Sequence, residues 1–382
     1  MADREPLRVG LMHWALPPTT GGVESHVADL ALGLADLGCD VTVLTGEPAP
    51  APLRGVEISY VSLLNLELLR KNGSDAEYPK IKQALREIIG PRQLQIIHGH
   101  NLHHFCAAPA IALAELRHEL GFKIHHTFHE TWPDVLHERP VYRHWEGNYA
   151  VSRFVQNECL RHIGFEPELR PLGIDTERFR AIRPAMANRD MFVILHPARV
   201  LPWKGVHVSV DMLAELTRRA VPAKLIITDT QRIIDWDEQL TWYRKQILDR
   251  IREKSIADRV EFTTVPYSDM PLLYEEADVV VYPTVGREPY GLVPLEAMSM
   301  ERPIVASRSG GMMETIVEGE TGFLVDPDDS IGLADRVEQL LKNSDSAQLM
   351  GRAGRRHVVS NFNGRKYTER LLEEYLVRTV RK

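Results

Sequence analysis

One pattern constrains this chain more than any other: short β-branched runs alternate with amphipathic helices, and the alternation runs twice. Residues 8–14 read as a near-continuous apolar strand of the kind buried inside a parallel sheet. A loop over 15–22 leads to a helix over 23–37, with Val23, Val27, Leu30, Ala31, Leu34 and Leu37 as its apolar stripe. Gly38 stops that helix, and residues 40–45 form the next strand, so the opening is a βαβ unit. Strands over 58–61, 94–98, 123–128 and 149–151 follow, separated by helices over 79–89, 107–119 and 153–162. A polar connector ending at Pro184 closes this half. The pattern then restarts, with strands over 191–196, 224–228, 260–264, 278–282, 303–307 and 321–325. Helices over 206–219, 236–254 and 270–276, and another from 292 onward, lie between them. At 382 residues the chain is long enough for two ordinary domains, each with its own core. The alternation predicts an α/β fold with two consecutive parallel sheets, each covered on both faces. Ligands then belong beyond the carboxyl ends of the strands.

Composition narrows the function. A net charge of −7 argues against a nucleic-acid footprint, which needs a strongly basic face. Cys39, Cys106 and Cys159 show no CxxC spacing and read as free thiols in a reducing compartment. The acidic N-terminus does not resemble a signal peptide, and no run approaches the ~20 apolar residues of a membrane span. A cytoplasmic protein without strong membrane association is expected.

The stretch from Asp278 to Met300 carries the most chemistry. A strand ends at Pro283, and a loop delivers the N–H groups of Gly291, Leu292 and Val293 to a helix N-terminus, a ready anion site. Pro294 fits the first turn, where its missing N–H costs nothing. Glu288 and Glu296 bracket that terminus. A carboxylate would repel a phosphate, so the pair either accepts hydrogen bonds from neutral hydroxyls or only favours the helix N-terminus electrostatically. Arg199 and Lys204 leave one strand end together and could meet a diphosphate; an ordinary solvated loop is the alternative. The turn Gly21-Gly22 could bring backbone N–H groups to a phosphate, or could be a tight turn without a ligand. It is not a GxGxxG fingerprint. The histidine clusters HGHNLHH and HHTFHE lack the ligand spacing of a zinc site and read as hydrogen-bonding groups for a polyhydroxylated ligand. Asp326-Pro-Asp-Asp reads as a turn. No metal site is expected.

Five features stand in one order: GGVE after the first strand, His129-Glu130 after a later one, Arg199 with Lys204-Gly205, Glu288 with Glu296, and Ser307 with Gly310-Gly311 and Glu314. In that order, on two α/β domains, the chain resembles the retaining GT-B glycosyltransferases of family GT4 (glycosyltransferase group 1). The resemblance implies two Rossmann-like domains facing a central cleft, over 1–184 and 185–364, with a helix over 365–382 crossing back to the first. It implies that Gly21 and Gly22 border the donor diphosphate or a charged acceptor group. His129 would line the sugar site near the reacting carbon, and Arg199 and Lys204 would neutralise the diphosphate. Glu288 would bind donor-sugar hydroxyls and Glu296 the ribose. The backbone of Tyr290, Gly291, Leu292 and Val293 would hold the diphosphate, and Val265, Pro266 and Tyr267 would border the base. Where many members have a glycine-rich turn, this chain has Thr228-Asp-Thr-Gln231, and it lacks the basic amphipathic helix of members acting on lipid-linked acceptors.

The expected activity is retaining, metal-independent transfer from a UDP- or GDP-sugar to a hydroxyl of a small acceptor (a sugar, cyclitol or natural-product glycoside). His129, Glu288, Arg199 and Lys204 would serve catalysis, and His13, Trp14, His100, Glu130 and Trp132 would line the acceptor. No cofactor beyond the co-substrate is expected. Retention would come from front-face departure and attack, with Glu130 as an alternative covalent nucleophile. A nucleotide-sugar epimerase, a phosphorylase and a non-catalytic nucleotide-sugar sensor are the competing readings.

Overall fold

A computed structural model describes residues 5–66, 74–132, 141–183, 185, 190–229 and 237–380. The chain divides into two compact units, Met1–Gly173 with Gly364–Lys382, and Ile174–Asn363.

The first unit is built on strands β1 (Arg8–His13), β2 (Asp40–Thr45), β3 (Val56–Tyr60), β4 (Ile96–His100), β5 (Lys123–Phe128), β6 (Gly147–Ala150) and β7 (Glu168–Leu169). They lie in the order β3-β2-β1-β4-β5-β6-β7, all parallel. The strand order reverses between β1 and β4, which is where doubly wound sheets open a crevice for ligands. The sequence places the fourth strand over 94–98, but it runs Ile96–His100. The Gln95 N–H donates to the Arg8 carbonyl at 2.8 Å, which sets Ile96 opposite Val9. His98 and His100 are therefore both strand residues, and both are buried.

The helix Gly364–Val380 belongs to this unit and packs on the helix Gly22–Asp36. Gly33 makes room for the contact: a Cβ there would stand 3.0 Å from Thr368 Oγ1. Tyr375, fully buried on the same helix, hydrogen-bonds His98 Nδ1.

The second unit contains β8 (Phe192–His196), β9 (Ala223–Thr228), β10 (Val260–Thr263), β11 (Val279–Tyr282), β12 (Ile304–Ser307) and β13 (Phe323–Val325). Their order is β10-β9-β8-β11-β12-β13, again parallel, with the reversal between β8 and β11. Ile194, Leu225, Ile227, Val279, Val281 and Val305 join the helix residues Val206, Val210, Leu213, Leu333 and Val337 in one core.

The connector is not a free linker. The sequence ends the first domain at 184, whereas the units divide at Gly173. The Ile174 N–H donates to Phe362 O at 2.9 Å, and the N–H groups of Ile182 and Arg183 both donate to the Glu275 carboxylate. Satisfying those backbone groups ties 174–183 to the second unit. Pro184 itself lies outside the described residues, and the returning helix starts at Gly364 instead of residue 365. Among the described residues no helix is long and apolar enough to cross a membrane.

Candidate active site

In the second unit the groups expected to meet a nucleotide sugar gather at the carboxyl ends of β8 and β11. A short 3-10 turn, Pro202–Lys204, ends at Gly205 with φ 72°. Only glycine fits there: a Cβ would lie 1.8 Å from the Pro283 carbonyl oxygen, and the positive φ disfavours any other residue. The N–H groups of Val285 and Gly286 donate to the Trp203 carbonyl at 3.0 and 3.2 Å, locking this turn to the Glu288 loop.

Lys204 Nζ then donates to Glu288 Oε2 and to Tyr282 Oη, each at 2.8 Å, and the Tyr282 hydroxyl stands 2.9 Å from the same carboxylate oxygen. The sequence reading gave Lys204 to the diphosphate and Glu288 to the sugar; the fold makes them one ion pair, mostly buried. An ammonium has three N–H groups, so one remains beyond these two contacts, and Glu288 keeps Oε1. Burial, followed by the Glu288 charge, drives the Tyr282 pKa far above that of a free phenol, so the hydroxyl stays protonated and donates. Arg199 is partly buried near Tyr282, and its guanidinium forms no hydrogen bond or ion pair with any described residue.

The motif Ser307…Gly310-Gly311 supports Glu288. The Gly311 N–H donates to Glu288 O at 2.9 Å. Ser309 Oγ donates to Gly286 O and accepts from the Glu288 N–H. Gly310 has φ 50°, and a Cβ on it would fall 1.8 Å from Glu288 O. Past the loop, Gly291 precedes the helix Leu292–Ser299 with no side-chain cap. The first-turn N–H groups of Leu292 and Val293 are thus left for an anion. Glu296, one turn in, accepts from the Tyr274 hydroxyl at 2.6 Å. Tyr274 is kept neutral by burial and by that carboxylate.

Val265, Pro266 and Tyr267 sit at the start of the 3-10 turn Tyr267–Asp269. There Arg178, which sequence reasoning missed, stacks 4.4 Å over the Tyr267 ring and donates to its hydroxyl at 2.8 Å. In the unusual segment after β9, Asp229 pairs with Arg244, while Thr230 and Gln231 lie outside the described residues. Asp328 adopts φ 65° and Asp329 caps the helix Ser330–Lys342, so Asp326-Pro-Asp-Asp forms a turn.

In the first unit the switch point is lined with imidazoles. His13, at the end of β1, places Nδ1 3.2 Å from His100 O at the end of β4, and its Nε2 faces Glu24 Oε1 at 3.4 Å. His100 Nδ1 and His129 Nε2 are 2.9 Å apart, so one ring donates and the other accepts. The His129 N–H donates to Asn101 Oδ1 at 2.9 Å, and Asn101 Nδ2 reaches Glu130 Oε1 at 3.3 Å. Asn101 sits at φ 56°, a conformation asparagine tolerates, and it positions the whole His129-Glu130 turn. His26 completes the group, its ring 5.4 Å from that of His129 and 5.8 Å from that of His100. Burial is the main reason all three rings stay neutral: the His26 pKa falls to about 3, and those of His100 and His129 lie well below the usual value.

His100, expected to line the acceptor, is wholly interior, and its Nδ1 meets His129 instead. Trp14 is likewise buried, while Glu130 and Trp132 are partly exposed. Donor nitrogens of His26, His100 and His129 lie within 4.8 Å of one another. Around zinc such nitrogens stand roughly 3.4 Å apart, from Zn–N bonds of about 2.1 Å, so this trio would have to contract to hold that ion.

The glycine turn opens the helix Gly22–Asp36. Gly21 is extended, at φ −177°, so its backbone does not demand glycine. A Cβ there would instead collide with Glu24, 2.0 Å from Oε2.

Two parallel α/β units thus carry polar and charged side chains at their switch points. Residues 178–357 match the family described as glycosyl transferases group 1, and residues 20–178 match glycosyltransferase family 4. The chain belongs to these group 1 glycosyltransferases and has their GT-B fold. It is 27% identical to glycogen synthase of Mycobacterium tuberculosis, covering 97% of this chain and 94% of the relative. It is 29% identical to D-inositol 3-phosphate glycosyltransferase of Paenarthrobacter aurescens, over 93% and 92%. Among solved structures, HepE of Anabaena in complex with UDP-glucose superimposes with a TM-score of 0.76 at 18% identity, over 97% and 99% of the two chains.

Proposed function

We propose that this glycosyltransferase moves a sugar from a nucleoside diphosphate, UDP or GDP, to a hydroxyl of a small acceptor, with retention and without a metal ion. The observation that carries the reading is the Lys204–Tyr282–Glu288 group beside the open helix N-terminus at Gly291. Arg199, the third N–H of Lys204 and the first-turn N–H groups meet the diphosphate. Glu288 Oε1 accepts from a sugar hydroxyl. Glu296, held by Tyr274, accepts from the ribose. As the glycosidic bond breaks, negative charge grows on the leaving phosphate. Fixed cations stabilise that transition state more than the ground state. The leaving phosphate oxygen then takes the acceptor proton on the same face. His129 works from the acceptor side as a neutral hydrogen-bonding group. The complex of HepE with UDP-glucose supports a UDP donor.

The test is a thermal-shift panel of UDP, GDP, ADP and dTDP, followed by product analysis of the anomer. A ligand at 100 times its Kd stabilises by about 2.7 kcal/mol. A response to none of the four, or an inverted anomeric centre, refutes the proposal.

A further inference from the structure

We infer that His100 is a positioning residue: it donates its Nδ1 proton to His129 Nε2, and so leaves His129 with its own proton on Nδ1, as a hydrogen-bond donor to a sugar oxygen. This rests on the transferase reading above and adds the direction in which His129 works. The two nitrogens are 2.9 Å apart. Burial keeps both rings neutral, so each carries one N–H and one bare nitrogen. Two arrangements satisfy the contact, and they differ at the far nitrogens. If His129 donated, the His100 proton would sit on Nε2, which is buried and meets no hydrogen-bond partner in the structure, on a side chain with 0% exposure. If His100 donates, that Nε2 is a bare acceptor instead. A buried N–H left without an acceptor is a rarer defect than an acceptor left unmet, and the bond made at one imidazole nitrogen decides which nitrogen holds the proton. His129 keeps 5% exposure, and its Nδ1 forms no hydrogen bond with any described residue, so an N–H there is left for a ligand or solvent.

The second observation is what holds His100 in place. Its ring stacks on that of His98, with centroids 4.5 Å apart and 17° between the planes. His98 is held at both nitrogens, Nδ1 by the Tyr375 hydroxyl and Nε2 by Thr127 Oγ1 at 2.8 Å. The His129 backbone has a separate support, its N–H donating to Asn101 Oδ1 at 2.9 Å. Asn101 thus fixes where residue 129 stands, and His100 fixes how its ring is protonated. A ring with its proton on Nδ1 stabilises a ligand oxygen by donation and takes no proton from the acceptor. That agrees with the leaving phosphate as the group that does.

The experiment is long-range proton–nitrogen NMR on the full chain labelled with 15N-histidine at pH 8, the His129 signals being identified by their loss in His129→Ala. A protonated Nδ1 and a bare Nε2 are expected; the reverse tautomer, or an even mixture, overturns the inference. His100→Leu removes the donor, and His100→Asn returns an N–H close to the place of Nδ1. Hydrolysis of UDP-glucose and of GDP-mannose should show kcat roughly 2- to 10-fold lower in His100→Leu, the range of one neutral hydrogen bond. The donor KM should stay unmoved, and His100→Asn should recover most of the loss. A kcat unchanged in folded His100→Leu, or His100→Asn as impaired as His100→Leu, overturns the inference. Absence of turnover with both donors in wild type counts against the transferase reading, and the tautomer then decides this one by itself.

Discussion

Lowering the pH from 8 to 5 should unfold the first unit, because its interior holds uncharged histidines that the unfolded chain would protonate. His26, His98, His100, His125 and His129 are buried. Burial is the first cause of lowered pKa in each, to about 3 for His26 and His125. In the unfolded chain an imidazole titrates near 6.5. The native state therefore binds fewer protons across the window from about 6.5 down to about 3, and stability falls as pH falls through it. At pH 5 His26 and His125, with pKa values near 3, cost about 2 kcal/mol each relative to pH 8, and the other three act in the same direction. The 5–15 kcal/mol stability of an ordinary domain is the scale to set this against. The second unit holds His196 in this state, its pKa also lowered to about 3 by burial, and should lose about 2 kcal/mol on the same basis. Urea unfolding followed by circular dichroism at pH 8, 7, 6 and 5 measures the slope. Two transitions should separate as the pH falls, and His125→Phe should flatten the steeper one by about one proton. Stability unchanged between pH 8 and 5 would refute the reasoning.

Three further outcomes follow from the second unit. Glu288→Gln should lower turnover far more than UDP affinity, and Glu296→Gln the reverse, because the ribose contact is shared by donor and product; equal loss of nucleotide affinity in calorimetric titration contradicts the assignment. Lys204→Ala should cut turnover at least tenfold, since a charge-assisted hydrogen bond is worth about 1.5–3 kcal/mol, and EDTA should leave wild-type activity intact. Restoration of EDTA-lost activity by magnesium or manganese would overturn the metal-free account. Gly310→Ala, whose methyl would fall 1.8 Å from Glu288 O, should lower both turnover and melting temperature; normal kinetics would show that the glycine pair does not position Glu288.

The alternation of strands and helices was legible because each parallel strand is buried on both faces and so reads as a continuous apolar run. Register was not. A parallel strand can begin anywhere in such a run, and the Gln95–Arg8 hydrogen bond moves β4 two residues on, burying His100. Glu288 and Glu296 were readable because they bracket a glycine-led helix start that offers N–H groups to an anion. Their phenol partners were not, since Tyr282 ends a Val-Val-Val run and looks like core. The available signal was its place as the last residue of β11, where side chains reach the ligand end. His26 was available too: it lies three residues after Val23, on the buried stripe of its helix, where an imidazole needs an explanation. The connector misled because its polar composition resembles a linker, while its backbone N–H groups are spent on Glu275 and Phe362.

The pairing of Lys204 with Glu288 alters how any single substitution in the site should be read. An unpaired ammonium with this little exposure would carry a desolvation penalty. The carboxylate and the Tyr282 hydroxyl offset that penalty, and they fix two of the three N–H groups in space. The lysine thus arrives at the diphosphate already oriented, and the glutamate arrives at the sugar with one oxygen committed and one not. Removing either residue leaves the other buried and wrongly directed, a loss counted as lost chemistry although part of it is lost position. Losses at the two positions should therefore not add. Glu296 shows the contrast. Toward its partner Tyr274, a neutral phenol, Glu296→Gln exchanges one hydrogen-bond acceptor for another.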